Sequence, residues 1–122
     1  MEAPVQTSTH AVLDHHLSAF VEAEISEILK DYTDESELLT PDGALKGVAA
    51  IQSFFEEVFK IFPKESKFEK KQVIVRDNIA YLAWMGESLY VSIPLGTDTF
   101  IFQNDKILYQ TLAAQIIPKQ KR

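Results

Sequence analysis

The chain has 122 residues, 46% of them hydrophobic and 25% charged, which suits one globular domain with a real core, so residues 1–122 are read as a single domain. A net charge of −6 opposes nucleic acid and anionic membrane as partners, and the one basic cluster, PKQKR, is too short to reverse it. Cysteine is absent, which excludes disulfides, thiolate nucleophiles and Cys-ligated zinc.

No apolar run is long enough to span a bilayer, and MEAPVQTSTH lacks the basic and apolar regions of a signal peptide, so a cytoplasmic protein is expected. TSTHAVLDHHLSAFVEAE offers Thr7, Ser8 and Thr9 as helix caps, followed by Val12, Leu13, Leu17, Phe20 and Val21 at helical spacing. A change of phase over EISEILKDY, with Ile25, Ile28, Leu29 and Tyr32 on one face, predicts a second, short helix. Leu38 and Leu39 suit a short strand, and Thr40-Pro41-Asp42-Gly43 is a turn signature. GVAAIQSFFEEVFKIFP predicts a third helix with Ile51, Phe54, Phe55, Val58 and Phe62 as its stripe and Pro63 at its end.

The rest of the chain is β. KFEKKQVIVRD, NIAYLAWMGESLYVSI, GTDTFIFQND and KILYQTLAAQI read as four successive strands, with hairpin turns at Asp77-Asn78 and Asn104-Asp105. Helices followed by a strand meander imply an α+β domain, with helices packed on a curved antiparallel sheet.

These residues resemble a known family. ILKDYTDESELLTPDGALKGVAAIQSFF resembles the N-terminal half of SnoaL-like domains of the nuclear transport factor 2-like superfamily, and GTDTFIFQNDKILYQT is similar to the strand pair that closes that fold. The resemblance runs from about Val12 to Ile117. It implies a cone of three N-terminal helices in the concave face of the sheet, an apolar pocket at the open end, and a homodimer formed through the sheet. Relatives include ketosteroid isomerases, polyketide cyclases and dehydratases, and also transport factors without catalysis.

The ketosteroid-isomerase template implies three groups, an oxyanion hole of a phenol and a protonated late-strand acid plus a carboxylate base; it is also a familiar worked case of pKa tuning. Carried over by motif, DTFIF puts Asp98 at the late-strand acid, His16 stands where the phenol is expected, and Thr40 stands where the base is expected. Thr40 cannot abstract a proton unaided, which counts against steroid-type isomerisation.

The residues themselves support a site. Asp98 precedes Phe100 and Phe102 by two and four positions, so all three share one strand face. His16 lies on the apolar stripe of the first helix, between Leu13 and Phe20. Each has a plain structural reading, as a satisfied core histidine and a wet strand residue, beside the reading as an acid–base pair in which Asp98 approaches the imidazole. Thr40, Phe54, Tyr32, Trp84, Phe100 and Tyr109 are the candidate substrate-binding residues; Trp84 and Met85 face opposite ways, so only one can line a pocket. His10, His15 and His16 lack the i+4 partner of a helical metal site, and no cofactor motif is present. Two functions fit: an isomerase, cyclase or dehydratase acting on a small hydrophobic carbonyl compound, or a non-catalytic ligand-binding or dimeric interaction module.

Overall fold

A computed structural model describes residues 5–119, with side chains from residue 8 onward; residues 1–4, 120–122 and the side chain of Thr7 lie outside it. The elements are α1 (Val5–Val21), α2 (Ile25–Leu29), β1 (Glu37–Thr40), β2 (Gly43–Lys46), α3 (Val48–Ile61), β3 (Lys67–Arg76), β4 (Ile79–Glu87), β5 (Val91–Gln103) and β6 (Lys106–Pro118). The class is α+β, with one six-stranded sheet in the order β2-β1-β6-β5-β4-β3. Among the described residues no helix is long and apolar enough to cross a membrane.

The sheet is mixed, which corrects the antiparallel expectation. β1 pairs in parallel with β6, through Leu38 opposite Gln110, while every other pairing is antiparallel. The pairing joins segments too distant in sequence for a hairpin signal. Side-chain and backbone bonds fix it: Ser36 Oγ donates to Ile107 O, and Ile107 N–H donates to Asp31 O at 2.7 Å.

α1 begins upstream of its expected caps, so Ser8 and Thr9 lie inside the helix and serve tertiary contacts. Thr9 Oγ1 donates to the carbonyl of Asp77 at 2.9 Å, and Ser8 Oγ donates to Asp105. Both tie α1 to hairpin turns. The turn after β3 has Asp77 at φ 51°, and that after β5 has Asn104 and Asp105 at φ 54° and 62°, where short polar side chains tolerate the left-handed region.

The strand boundaries near residue 90 also differ from the sequence reading. NIAYLAWMGESLYVSI is broken at Ser88–Tyr90, because the Ser88 hydroxyl accepts from the N–H groups of Tyr90 and Val91 and holds a turn. β5 instead runs straight through Pro94. The register shifts on both sides there, between Ser92 and Leu95 toward β6 and between Trp84 and Gly86 toward β4, so the missing proline N–H costs no ladder bond.

α1 and α3 pack their apolar sides toward the sheet. Leu13, Leu17, Ile51 and Phe55 are buried, while Phe20, Phe54 and Val58 are half-buried around a void. Phe62, just past α3, lies over Gly86, where a Cβ would come within 2.7 Å of its ring.

Candidate functional site

The half-buried phenylalanines border a cavity of about 160 Å³ between α1, α3 and strands β3 to β6. Its wall is aromatic and aliphatic, drawn from residues such as Phe20, Phe54, Val58, Phe68 and Leu112. Ile61 and Ile116, 36% and 48% exposed, mark where it meets solvent. Its polar lining residues, His16, Asp98 and Gln110, are all buried.

Asp98 shares its side of β5 with Phe100 and Phe102, and all three are buried. Each oxygen of the carboxylate accepts one protein donor. Trp84 Nε1–H donates to Oδ1 and Gln110 Nε2–H donates to Oδ2, each at 2.8 Å. The amide of Gln110 is fixed in turn, because Tyr32 O–H donates to its Oε1. Burial pushes the Asp98 pKa up to about 6, against the opposing pull of the two hydrogen bonds. Burial, then the charges of Asp98 and Asp31, hold the Tyr32 phenol well above its ordinary value.

His16 packs edge-on against Tyr32, Phe55 and Phe100, with ring centroids 5.8, 6.1 and 5.4 Å away. Burial, assisted by His15, lowers its pKa to about 4, so it is neutral near pH 7. Its Nδ1 is sealed from solvent and has no hydrogen-bond partner. No hydrogen bond or ion pair joins His16 to Asp98, contrary to the expected contact: the carboxylate is held by Trp84 and Gln110 instead.

Of the other expected binding residues, Phe54, Trp84 and Phe100 line the cavity, while Met85 takes the opposite face from Trp84. Tyr32 is not among the lining residues but reaches the polar end through Gln110. Thr40 is not among the lining residues: its hydroxyl donates to Gly43 O and accepts from Asp42 N–H, so it shapes the β1–β2 turn. Tyr109 points away, 39% exposed. A bulge causes this. Ile101 pairs with Tyr109 but Phe102 pairs with Ile107, so Leu108 is the extra residue and alternation counted from Ile107 fails. The same bulge turns Gln110 inward, a site residue the sequence reading missed. Counting backward from Leu112 and Ala114, which face the cavity, would have found it.

His15, beside His16 in sequence, belongs to a separate surface cluster. Its ring nitrogens meet Asp31 Oδ2 at 2.7 Å and Glu27 Oε1 at 3.0 Å, and Lys30 Nζ donates to Glu27 Oε2 at 2.7 Å. The bonds to Asp31 and then Glu27 raise the His15 pKa, while burial raises that of Asp31. Among the described residues no cluster of three His, Cys, Asp or Glu side chains is arranged to hold a metal ion.

No protein-family profile and no curated protein sequence matches the chain. Solved structures do match. A SnoaL-like protein of unknown function from Burkholderia thailandensis aligns over 93% of this chain and 99% of its own, at 17% identity and TM-score 0.74. A candidate ketosteroid isomerase from Kribbella flavida aligns over 96% and 84%, at 10% identity and TM-score 0.77. A candidate polyketide cyclase from Sinorhizobium meliloti aligns over 84% and 93%, at 12% identity and TM-score 0.71. The chain therefore has the SnoaL-like, nuclear transport factor 2-like fold, and the likeness is one of fold, not of activity.

Proposed function

We propose that this SnoaL-like-fold protein captures a small, mostly apolar oxygen-bearing molecule in the cavity between its helices and its sheet, the cone of the sequence-based expectation. One observation carries the reading: the wall is apolar and its polar groups, His16, Asp98 and Gln110, lie together at the buried end. Such a site gains affinity from the wall and orientation from a few polar atoms. Capture without chemistry comes first because Thr40, at the position of a base, is bonded within its own turn.

A second reading is supported by the ionisation of the same groups. A neutral imidazole and a carboxyl with pKa about 6 border one cavity, a pairing able to exchange protons with a bound carbonyl compound in isomerisation, cyclisation or dehydration. The partner of the assembly is a second copy. Ile79 and Tyr109 flank Ile101 in one row across the outward sheet face, and Tyr81 and Leu39 belong to the next row; these four side chains are exposed.

Capture is tested by following the indole N–H resonance of Trp84, the chain's only tryptophan, while toluene-sized compounds are added. Saturable shifts are expected in the wild type and their loss in Ala114→Leu, which fills the cavity. Undisturbed resonances with every compound would remove the reading. Deuterium uptake next to the carbonyl of a small ketone, present in the wild type and lost in His16→Phe and Asp98→Asn, separates catalysis from capture.

A further inference from the structure

Resting on the capture reading, we infer that the cavity selects uncharged single-ring compounds bearing a hydroxyl group, with the hydroxyl at the His16–Asp98 end and the ring against the phenylalanines. The size sets the first limit. An engineered apolar cavity of roughly 150 Å³ takes benzene, so about 160 Å³ suits one ring and not a fused polycycle.

Charge sets the second limit. The lining includes no lysine or arginine. A ligand carboxylate would face Asp98 in an apolar enclosure with no cation to compensate it. An ammonium would pair with Asp98 but would give a neighbouring N–H nothing to accept its hydrogen bond.

Hydrogen bonding sets the third. Each Asp98 oxygen accepts a single protein donor, and a carboxylate oxygen takes two, so acceptor capacity remains at the cavity. The complementary donor is His16. A neutral imidazole has one N–H, and its Nδ1 is sealed without a partner. An unmet buried N–H is rarer than an unmet acceptor, so the tautomer that leaves Nδ1 bare and places the proton on Nε2 is favoured. Nε2 is not sealed in that way, and through it a lining residue can address the cavity. Both groups line the one cavity: His16 packs on Phe100, which lies two residues along β5 from Asp98, a rise of about 7 Å. Of simple neutral groups a hydroxyl serves both: it donates to Asp98 and accepts from His16. A ketone satisfies His16 alone.

The test titrates the full chain with phenol, toluene, cyclohexanone, benzylamine and benzoate, read by calorimetry and by the Trp84 indole N–H resonance. Phenol is expected to bind about tenfold or more tightly than toluene or cyclohexanone, the scale of one well-made hydrogen bond, with benzylamine weaker than phenol and benzoate not binding. Asp98→Asn and, independently, His16→Phe should shrink the preference for phenol over toluene while toluene still binds. Equal affinity for phenol, toluene and cyclohexanone, or tighter binding of benzoate or benzylamine, would overturn the hydroxyl inference and leave capture standing. Failure of all five to bind would remove both.

Discussion

Trp84 and Gly96 face each other across β4 and β5, and the indole occupies the space a side chain at Gly96 would need. A Cβ there would lie 2.3 Å from Cε2 and 2.8 Å from Nε1 of the indole. The bare backbone lets the ring lie across β5 and donate to Asp98, two residues along the strand. Gly96, Trp84 and Asp98 thus form one unit in which an absent side chain positions a buried carboxylate.

Gly96→Ala is therefore expected to displace the indole and break its bond to Asp98. The destabilisation should be about 1–3 kcal/mol, typical of overpacking. Trp84→Phe, which removes the N–H and most of the clash, should make the alanine far less costly, so the double-mutant cycle is strongly non-additive. Chemical denaturation of the four proteins measures this; simple additivity would show that the glycine does not act through the indole.

Much of the fold was legible because it rests on local signals. The stripe Leu13, Leu17 and Phe20, the stripe Ile51, Phe55 and Val58, and the Asp77 and Asn104-Asp105 turns all follow from spacing or turn chemistry. The parallel β1–β6 pair was not, because it depends on contacts such as Ser36 to Ile107, which leave no periodic trace. At the site, Asp98 and His16 were legible as ionisable groups on apolar faces. Their partners were not: the bulge at Leu108 inverted the apparent facing of Tyr109 and Gln110, and Trp84 reaches Asp98 only through the space above Gly96.

The outward sheet face gives the assembly prediction. Sedimentation is expected to show twice the 13.8 kDa chain mass. Tyr81 and Tyr109 are 37% and 39% exposed on that face, in adjacent rows. Tyr81→Lys with Tyr109→Lys should return the chain to monomer with its cavity intact, since neither residue lines it. A monomeric wild type, or a double variant that still dimerises, would exclude this surface.

His15 links α1 to α2 through Asp31 and Glu27, and its pKa is raised above the ordinary 6.5. The charged imidazole is favoured by folding, so its contribution is complete below 6.5 and is lost as pH rises through the raised value. His15 is 39% exposed, so the effect is small. His15→Gln should melt below the wild type in mildly acidic buffer and converge with it in mildly alkaline buffer. A gap that widens with rising pH would contradict the ion-pair account.

His16 and Asp98 oppose each other in the pH dependence of stability. The His16 pKa is lowered from 6.5 to about 4, so between those values the unfolded chain binds the extra proton and stability rises with pH. The Asp98 pKa is raised from 3.8 to about 6, so over nearly the same window the folded chain holds the extra proton and stability falls with pH. The two slopes therefore oppose each other in the wild type. Single variants expose them. Asp98→Asn should lose part of its hydrogen bonding to Trp84 and Gln110 at every pH, and against that offset its stability should climb from pH 4 to 6.5 under His16 alone. His16→Phe should do the reverse and lose stability from pH 3.8 to 6 as Asp98 ionises without an opposing change. Urea denaturation across that range measures all three proteins. Parallel profiles for the wild type and both variants would mean that neither group has the burial that gives the cavity its polar end.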